Sequence, residues 1–555
     1  MSRGCNAWRQ PGLLGWSLDT PGESTGRPAT PHRHRSSCDQ LTRHPVPKGD
    51  LISYMSAKNQ THRRLRVIGG GALVAAVAAL AWPAPPPDVA GAPAGAQRFV
   101  WGRDSLWSAL ETSFANSRTD GCTHERAARA AADSVDAMLA RLRTERTTAT
   151  APSLDSLEDA FFRLGTRAAA CGALANDYVA LQGRLREAIK WQSTAWDLTA
   201  REVRDRLYRS LYGSRAAVEE VMLQHQDSVP TLFVGSPVPP GAPAAAAPSA
   251  MSNGVVLHSG DILVSRGGYP TSALIARGND YPGNFSHIAL VHVDSASREI
   301  SVIEAHIERG VVVATADQYL ADKKFRVMLL RLRPDLAELQ RDPMLPHRAA
   351  AGMLKRARTE HIPYDFTMDY ADPARLFCSE VASAAYRERG ITLWTGISTI
   401  TAPGLRRWLA SFGVRQFETQ EPSDLEYDPQ LAVVAEWRAA ASLFDDHMDN
   451  AVTDAMLEGA ERGDALEFAW YALPTARLLK GYSWVRERFG GVGPIPEGMA
   501  PAAALRNRSY NARHAELKAA LRVGAERWTA AKGYRPPYWT LVSLARDAAL
   551  VTAVR

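Results

Sequence analysis

The chain has 555 residues, of which 46% are hydrophobic and 22% charged, with 40 Gly and 34 Pro. That is the make-up of a folded protein of several domains, and it excludes a wholly disordered, collagen-like or disulfide-scaffold chain. The formal charge of +6 sits at the front, since residues 1–54 and 55–97 each hold net +3 and 98–555 are neutral. A protein that neutralises phosphates keeps its positive charge on the folded part, so nucleic acid is excluded as a partner.

Residues 1–54 are rich in Pro, Gly, Arg, Ser and His without an apolar period, and read as a disordered or mis-translated leader. Met55 is the better start. It is followed by Arg63, Arg64 and Arg66, an apolar run from Val67 to Trp82, and a proline cluster at Pro83–Pro87. A basic stretch, an apolar stretch and helix-ending prolines make residues 55–97 an export signal or membrane anchor with a Pro/Ala-rich linker. The run is short against the ~20 residues of a comfortable span, which leaves cleavage and anchoring both open. The predicted location is the cell envelope: periplasmic, secreted, or anchored by this one segment.

Cysteine usage fits export. Cys5 and Cys38 fall in the leader. Cys122 and Cys171 lie in one helical segment and can bridge outside a reducing cytosol, with Cα atoms within about 7 Å. Cys378 is then the odd thiol.

From 98 to 227 the pattern is helical, with Leu106, Leu110 and Phe114 four apart and Leu154, Leu157, Phe161 and Leu164 at three-to-four spacing. It predicts a bundle serving as scaffold, spacer or partner surface. Residues 228–250 carry six prolines around an Ala run and read as a linker. Strands follow at Asp261–Val264, His287–Val293, Ile300–Ile307, Gly310–Ala314 and Val327–Leu332. They predict a small antiparallel sheet or barrel within a unit spanning 251–428. Helices return at Arg348–Thr359 and Cys378–Arg389, and residues 429–555 read as a second helical region.

Three places in the β region carry chemistry. His287 stands at the mouth of an apolar strand, after Ser286. Glu304 lies inside the hydrophobic strand Val302-Ile303-Glu304-Ala305, where an unpaired carboxylate is costly to desolvate and a His is a natural partner. Cys378 sits where a loop turns into a helix, with Ser379 and Glu380 in the first turn. A thiol attacks a carbonyl as thiolate, and an imidazolium beside a helix N-terminus lowers its pKa. A third polar group then fixes the tautomer of the His. Strand neighbours can present His287 and Glu304 side by side if their strands pair on one face.

Rival residues are weighed against these. His306 and Glu308 share the strand face of Glu304 and are substitute partners, while His292 falls on the opposite face. The cluster Asp445-Asp446-His447-Met448-Asp449 reads as a solvated acidic helix face rather than a metal site. No Cys-x-x-Cys, His-Glu-x-x-His, Walker-type loop or Gly-x-Gly-x-x-Gly occurs, so no cofactor and no metal is predicted.

The order Gly260-Asp261, Ser286-His287, Glu304 and Cys378-Ser379-Glu380 resembles the permuted papain-like amidases of the YaeF/YiiX type, a branch of the NlpC-like cysteine hydrolases. In unpermuted relatives the Cys segment precedes the His strand; here it comes last. The stretch Pro363-Tyr364-Asp365 … Phe377-Cys378-Ser379 is similar to the family's Tyr-before-Cys segment. Phe377 departs from the Asp of many unpermuted relatives. The resemblance covers roughly 255–400, about a quarter of the chain.

The resemblance implies an α+β fold: a permuted papain-like core flanked by N-terminal and C-terminal helical regions. It implies a hydrolase cleaving an amide or ester through Cys378, His287 and Glu304 and a thioester acyl-enzyme. Tyr364 is then the oxyanion candidate, with Asp261, Ser286 and Ser379 in support. The expected substrate is a peptide or peptidoglycan fragment. The alternatives are acyl transfer or deacylation on lipids, or an inactive scaffold whose helical regions bind other proteins. A dead module need not keep Cys, His and Glu together, and this one keeps all three.

Overall fold

The computed structural model describes residues 82, 97–99, 105–235, 246–394 and 398–553. The leader with Cys5 and Cys38 lies outside them, as does the apolar run except for Trp82. Among the described residues no helix is long and apolar enough to cross a membrane.

Helices α1 (Ser105–Asp120), α2 (Glu125–Thr144), α3 (Pro152–Ala170), α4 (Ala175–Ser193) and α5 (Arg201–Gln224) form the N-terminal region. The predicted stripe does the packing: Leu154, Leu157, Phe161 and Leu164 are all buried, and Tyr178 stacks on Phe161 with ring centroids 4.6 Å apart. A Cys122–Cys171 disulfide ties the α1–α2 turn to the end of α3, with Cα atoms 4.8 Å apart.

Then come β1 (Leu232–Val234), β2 (Ser249–Ser252), β3 (Val255–His258), β4 (Ile262–Gly267), α6 (Pro270–Arg277), β5 (His287–Val293), β6 (Ile300–His306), β7 (Gly310–Thr315) and β8 (Lys324–Leu332). Helices α7 (Leu345–Thr359) and α8 (Glu380–Arg387), the short strand β9 (Ser398–Thr399), α9 (Pro403–Phe412), the short strand β10 (Glu418–Thr419) and β11 (Leu431–Arg438) follow. The chain ends in α10 (Ala440–Arg462), α11 (Leu473–Arg488), α12 (Pro501–Lys532) and α13 (Tyr538–Ala553).

One seven-stranded sheet runs β1-β11-β8-β4-β5-β6-β7 with every neighbour antiparallel. Alternation sorts its residues: Ile262, Val264, Ile288, Leu290 and Ile303 enter the core shared with α7 and α8, while Leu263, Ala289, Val291 and Val302 form a second cluster on the other face.

Two strands lie where other structure was expected. Leu232–Val234, inside the predicted linker, pairs with β11 at the sheet edge. Leu431–Arg438, read as the start of the C-terminal helical region, pairs with β8 and β1. It runs into the apolar start of α10, and a continuous apolar run does not by its period distinguish a buried strand from a helix.

A buried ionic layer joins the sheet to the helices around it. Arg326 of β8 ion-pairs with Glu219 of α5 and, at 2.6 Å, with Asp446 of α10; Arg266 of β4 lies 3.1 Å from Asp446. Arg215 of α5 pairs with Glu436 and Glu426, and Arg186 reaches Glu436 at 2.9 Å. This corrects the reading of Asp445–Asp449 as a solvated face. Asp446, His447 and Asp449 are buried, because arginines buried from the sheet side need counter-charges. His447 meets Glu219 at 2.9 Å and Asp449 meets Lys518 at 2.6 Å.

Candidate active site

His287 opens β5 and Glu304 lies in β6. The register sets Ala289 opposite Glu304 and His306 opposite Gly310. Side chains two apart share a face, so His287, Glu304 and His306 project together, and the small Ala289 leaves room for the carboxylate. His287 Nε2 lies 2.6 Å from Glu304 Oε2 and His306 Nε2 lies 3.1 Å from Glu304 Oε1. The carboxylate is therefore shared between two imidazoles: the rival partner His306 joins the pair rather than replacing it.

Glu304 is buried, which by itself raises a carboxyl pKa; hydrogen bonds and charge from His287 and His306 outweigh this and hold it well below the usual range. Burial would likewise lower His306, but Glu304 raises it above the ordinary imidazole value.

The loop from 360 to 379 brings the remaining groups. Gly310 has φ of +72°, and a Cβ there would lie 2.0 Å from the Ile362 carbonyl, so this glycine lets the loop close onto β7. Leu376 N–H donates to the Pro363 carbonyl at 3.2 Å, and the Asp365 carboxylate accepts from the amides of Thr367 and Asp369. The loop thus folds back and places Tyr364 against Cys378. Glu380, at the first position of α8, accepts from the Phe377 amide at 3.1 Å and fixes the residue before the thiol. Burial pushes this carboxyl up to about 8.

Cys378 is the free thiol among the described residues and is buried. Its S–H lies 3.8 Å from the Ser286 carbonyl, and the amides of Ile288 and Ser379 face the sulfur. Burial, with the Glu421 carboxyl next, pushes the thiol up to about 12. This reverses the expectation of a depressed value. Cys378 precedes α8 by two residues and enters a desolvated pocket, where the neutral form is favoured. Tyr364 is hydrogen-bonded to Cys378, and burial, with the thiol next, raises its hydroxyl well above the ordinary phenol value.

Cys378 and Tyr364 stand between two cavities. One is lined by His287, Glu304, His306, Glu308, Asp322 and Lys324 as well as Ser286. The other is lined chiefly by Leu274, Ile307, Phe366, Leu409, Phe412 and Met499, with Ser379 and Glu421 among its polar residues. Asp261 reaches neither. Arg331 holds its carboxylate with two contacts of 2.7 Å, and it accepts from the His258 amide, so it supports the β3–β4 turn. His292 is buried and stacks on His347 at 5.3 Å.

His287, Glu304 and His306 are of the residue types that bind a divalent cation, and their ligand atoms lie within 4.8 Å of one another. The two imidazole–carboxylate hydrogen bonds account for that closeness. Glu421 is the group that sequence reasoning missed. Burial, with Asp424 next, raises its carboxyl well above the usual range. No local pattern announces it, since its desolvation comes from distant packing.

Residues 256–435 match the model of the permuted papain-like amidase enzymes, YaeF/YiiX, C92 family. The amidase match covers about a third of the chain and contains His287, Glu304, Tyr364 and Cys378. It begins within β3 and ends within β11, so the strand mistaken for helix lies partly in the matched segment. The mixed helical and antiparallel architecture is consistent with the α+β class. No curated protein and no solved structure matches the chain.

Proposed function

We propose that this protein is an exported cysteine hydrolase that cleaves the amide bond of a peptide-type substrate. Cys378 is the nucleophile, His287 the general base and acid, and Glu304 the carboxylate that orients the imidazole. The observation that carries this is the 2.6 Å contact between His287 and Glu304 beside a cavity that also exposes Cys378. An imidazole held by a carboxylate is oriented to exchange a proton with a nucleophile in the same cleft.

The resting thiol keeps its proton, so the nucleophile forms as substrate binds. Sγ attacks the carbonyl carbon while its proton passes to His287. The developing oxyanion is met by the Tyr364 hydroxyl and a backbone amide near Cys378, each worth roughly 3 kcal/mol. Collapse of the tetrahedral species expels the amine, which takes the proton from His287 and leaves a thioester on Cys378. Water, deprotonated by His287, then releases the acid and restores the thiol. The Cys122–Cys171 disulfide and the basic–apolar–proline segment ahead of the folded part support export to an oxidising compartment.

The test is turnover of a panel of peptide and N-acyl p-nitroanilides by the full-length protein and its Cys378→Ala variant. Release of nitroaniline by the parent and none by the variant is expected. Equal rates for the two would overturn the reading.

A further inference from the structure

Helix α11 packs through one side only. Ala476 and Ser483 are buried, and Leu479 joins Ile307, Phe366 and Met499 in a small cluster. Those last three residues also line the apolar cavity at Cys378. The helix is therefore one layer away from that cavity.

Its outer side is also apolar. Leu478, Tyr482, Val485 and Phe489 recur at the spacing of one helix face, with exposures of 66%, 52%, 46% and 87%. Trp484 beside this stripe and Trp470 and Tyr471 before the helix are exposed as well. Arg477, Arg486 and Arg488 flank the stripe, while Lys480 turns to the packed side and donates to the Pro496 carbonyl at 2.6 Å. Exposed aromatics bordered by cations are what an interface-lying helix presents to anionic headgroups and the acyl boundary beneath them. A second copy of the same face would bring like charges together. The Trp82 carbonyl accepts a hydrogen bond from Arg477 at 2.7 Å.

The two cavities divide a substrate in a defined sense. In the proposed reaction the amine leaves with the proton of His287, so it departs through the polar cavity. The acyl group stays on Cys378 and must extend the other way. That way lies the apolar cavity, whose Leu274, Ile307, Phe366, Leu409, Phe412 and Met499 are the surface that an acyl chain would meet.

We infer that α11 and the turn before it seat the protein on a lipid bilayer, and that the apolar cavity takes the long acyl chain of an N-acylated peptide held in that bilayer, whose acyl amide is cleaved at Cys378. The acyl-chain half of this rests on the hydrolase reading above; the bilayer seat does not.

The seat is tested by hydroxyl-radical footprinting of the full-length protein, free and on phosphatidylcholine/phosphatidylglycerol vesicles. A several-fold loss of oxidation at Tyr482, Trp484 and Phe489 on vesicles is expected. Binding through the N-terminal apolar run alone would leave those residues as reactive as in the free protein, and that result overturns the seat. Protection that appears without vesicles and grows with protein concentration overturns it in favour of a second copy.

The chain is tested with N-acyl p-nitroanilides from acetyl to palmitoyl. The specificity constant should rise steeply with chain length. The double variant Leu478→Glu/Phe489→Glu should lose most turnover of the palmitoyl compound presented in vesicles while keeping that of the soluble acetyl compound. Rates indifferent to chain length overturn the acyl-chain assignment and leave the hydrolase reading standing. If no amide is cleaved, both fall, and the footprinting result is unaffected.

Discussion

Two of the places where the molecule buries ionisable side chains give opposite results. Between the sheet and the helices, Arg326, Glu219 and Asp446 are fully enclosed, and each faces an opposite charge. Burial opposes both charged forms, yet their mutual attraction raises Arg326 and holds Glu219 well below the usual carboxyl range. These charges are locked. At the cavity edge, Cys378 and Glu421 are buried beside carboxyl groups, and both are pushed toward their neutral forms. Beside them His287 stays partly open to the cleft. Enclosure with a matched partner makes a girder; enclosure without one, next to a partly open imidazole, is the arrangement on which the proposed site rests.

The largest expected effect breaks the site. His287→Ala should lower turnover by about 10²–10⁴-fold through loss of the proton carrier. The alkylation of resting Cys378 by iodoacetamide should barely change, staying slow at neutral pH and climbing towards high pH in both proteins, because burial and not His287 sets the thiol. A parent profile that already plateaus near pH 7, and is lost in the variant, would reveal a resting ion pair and remove the contrast.

The girder should fail differently. Arg326→Leu strips the counter-charge from Glu219 and Asp446 and should cost roughly 3–5 kcal/mol of stability, read from denaturant unfolding. Turnover of the folded fraction at low temperature should persist. A variant that unfolds like the parent would show that the ionic layer is not structural.

Reducing Cys122–Cys171, which are 49 residues apart, should destabilise the N-terminal helices by about 4 kcal/mol in the chain-entropy treatment. Any turnover at the proposed site should persist, since Cys378 takes no part in the bridge. Parallel loss of both would mean that the helical region and the sheet unfold as one unit.

The smallest effect sharpens the comparison through pH. The depressed carboxyl of Glu304 gives stability that is present above about pH 4.3, the ordinary carboxyl value, and lost as pH falls below it. The raised imidazole of His306 gives stability present below about pH 6.5 and lost as pH rises through its folded value. Glu304→Gln removes both and should flatten the stability profile by on the order of 2 kcal/mol, most visibly between those two pH values. It should also lower turnover while sparing alkylation of Cys378.

How far the sequence spoke follows the same division. The strands at 261–332 were legible because β-branched runs between Gly and Asp leave little choice. The pairing of His287 with Glu304 was legible because a lone carboxylate in a Val/Ile strand needs a partner; the register that sets Ala289 opposite Glu304 had to come from the fold. Leu431–Arg438 was not legible, since its apolar run continues into α10. Neither were the burial of Asp446 and Asp449 or the state of the Cys378 thiol. Desolvation is set by side chains hundreds of residues away, such as Glu219 against His447, and no local spacing carries it.

The most direct test of the Cys378 chemistry is acid-quenched mass spectrometry of the full-length protein during turnover of an N-acyl p-nitroanilide. An acyl adduct should appear on the peptide carrying Cys378, be removed by hydroxylamine as a thioester is, and be absent from the Cys378→Ser variant. Steady release of nitroaniline with the Cys378 peptide unmodified at every time point would contradict it.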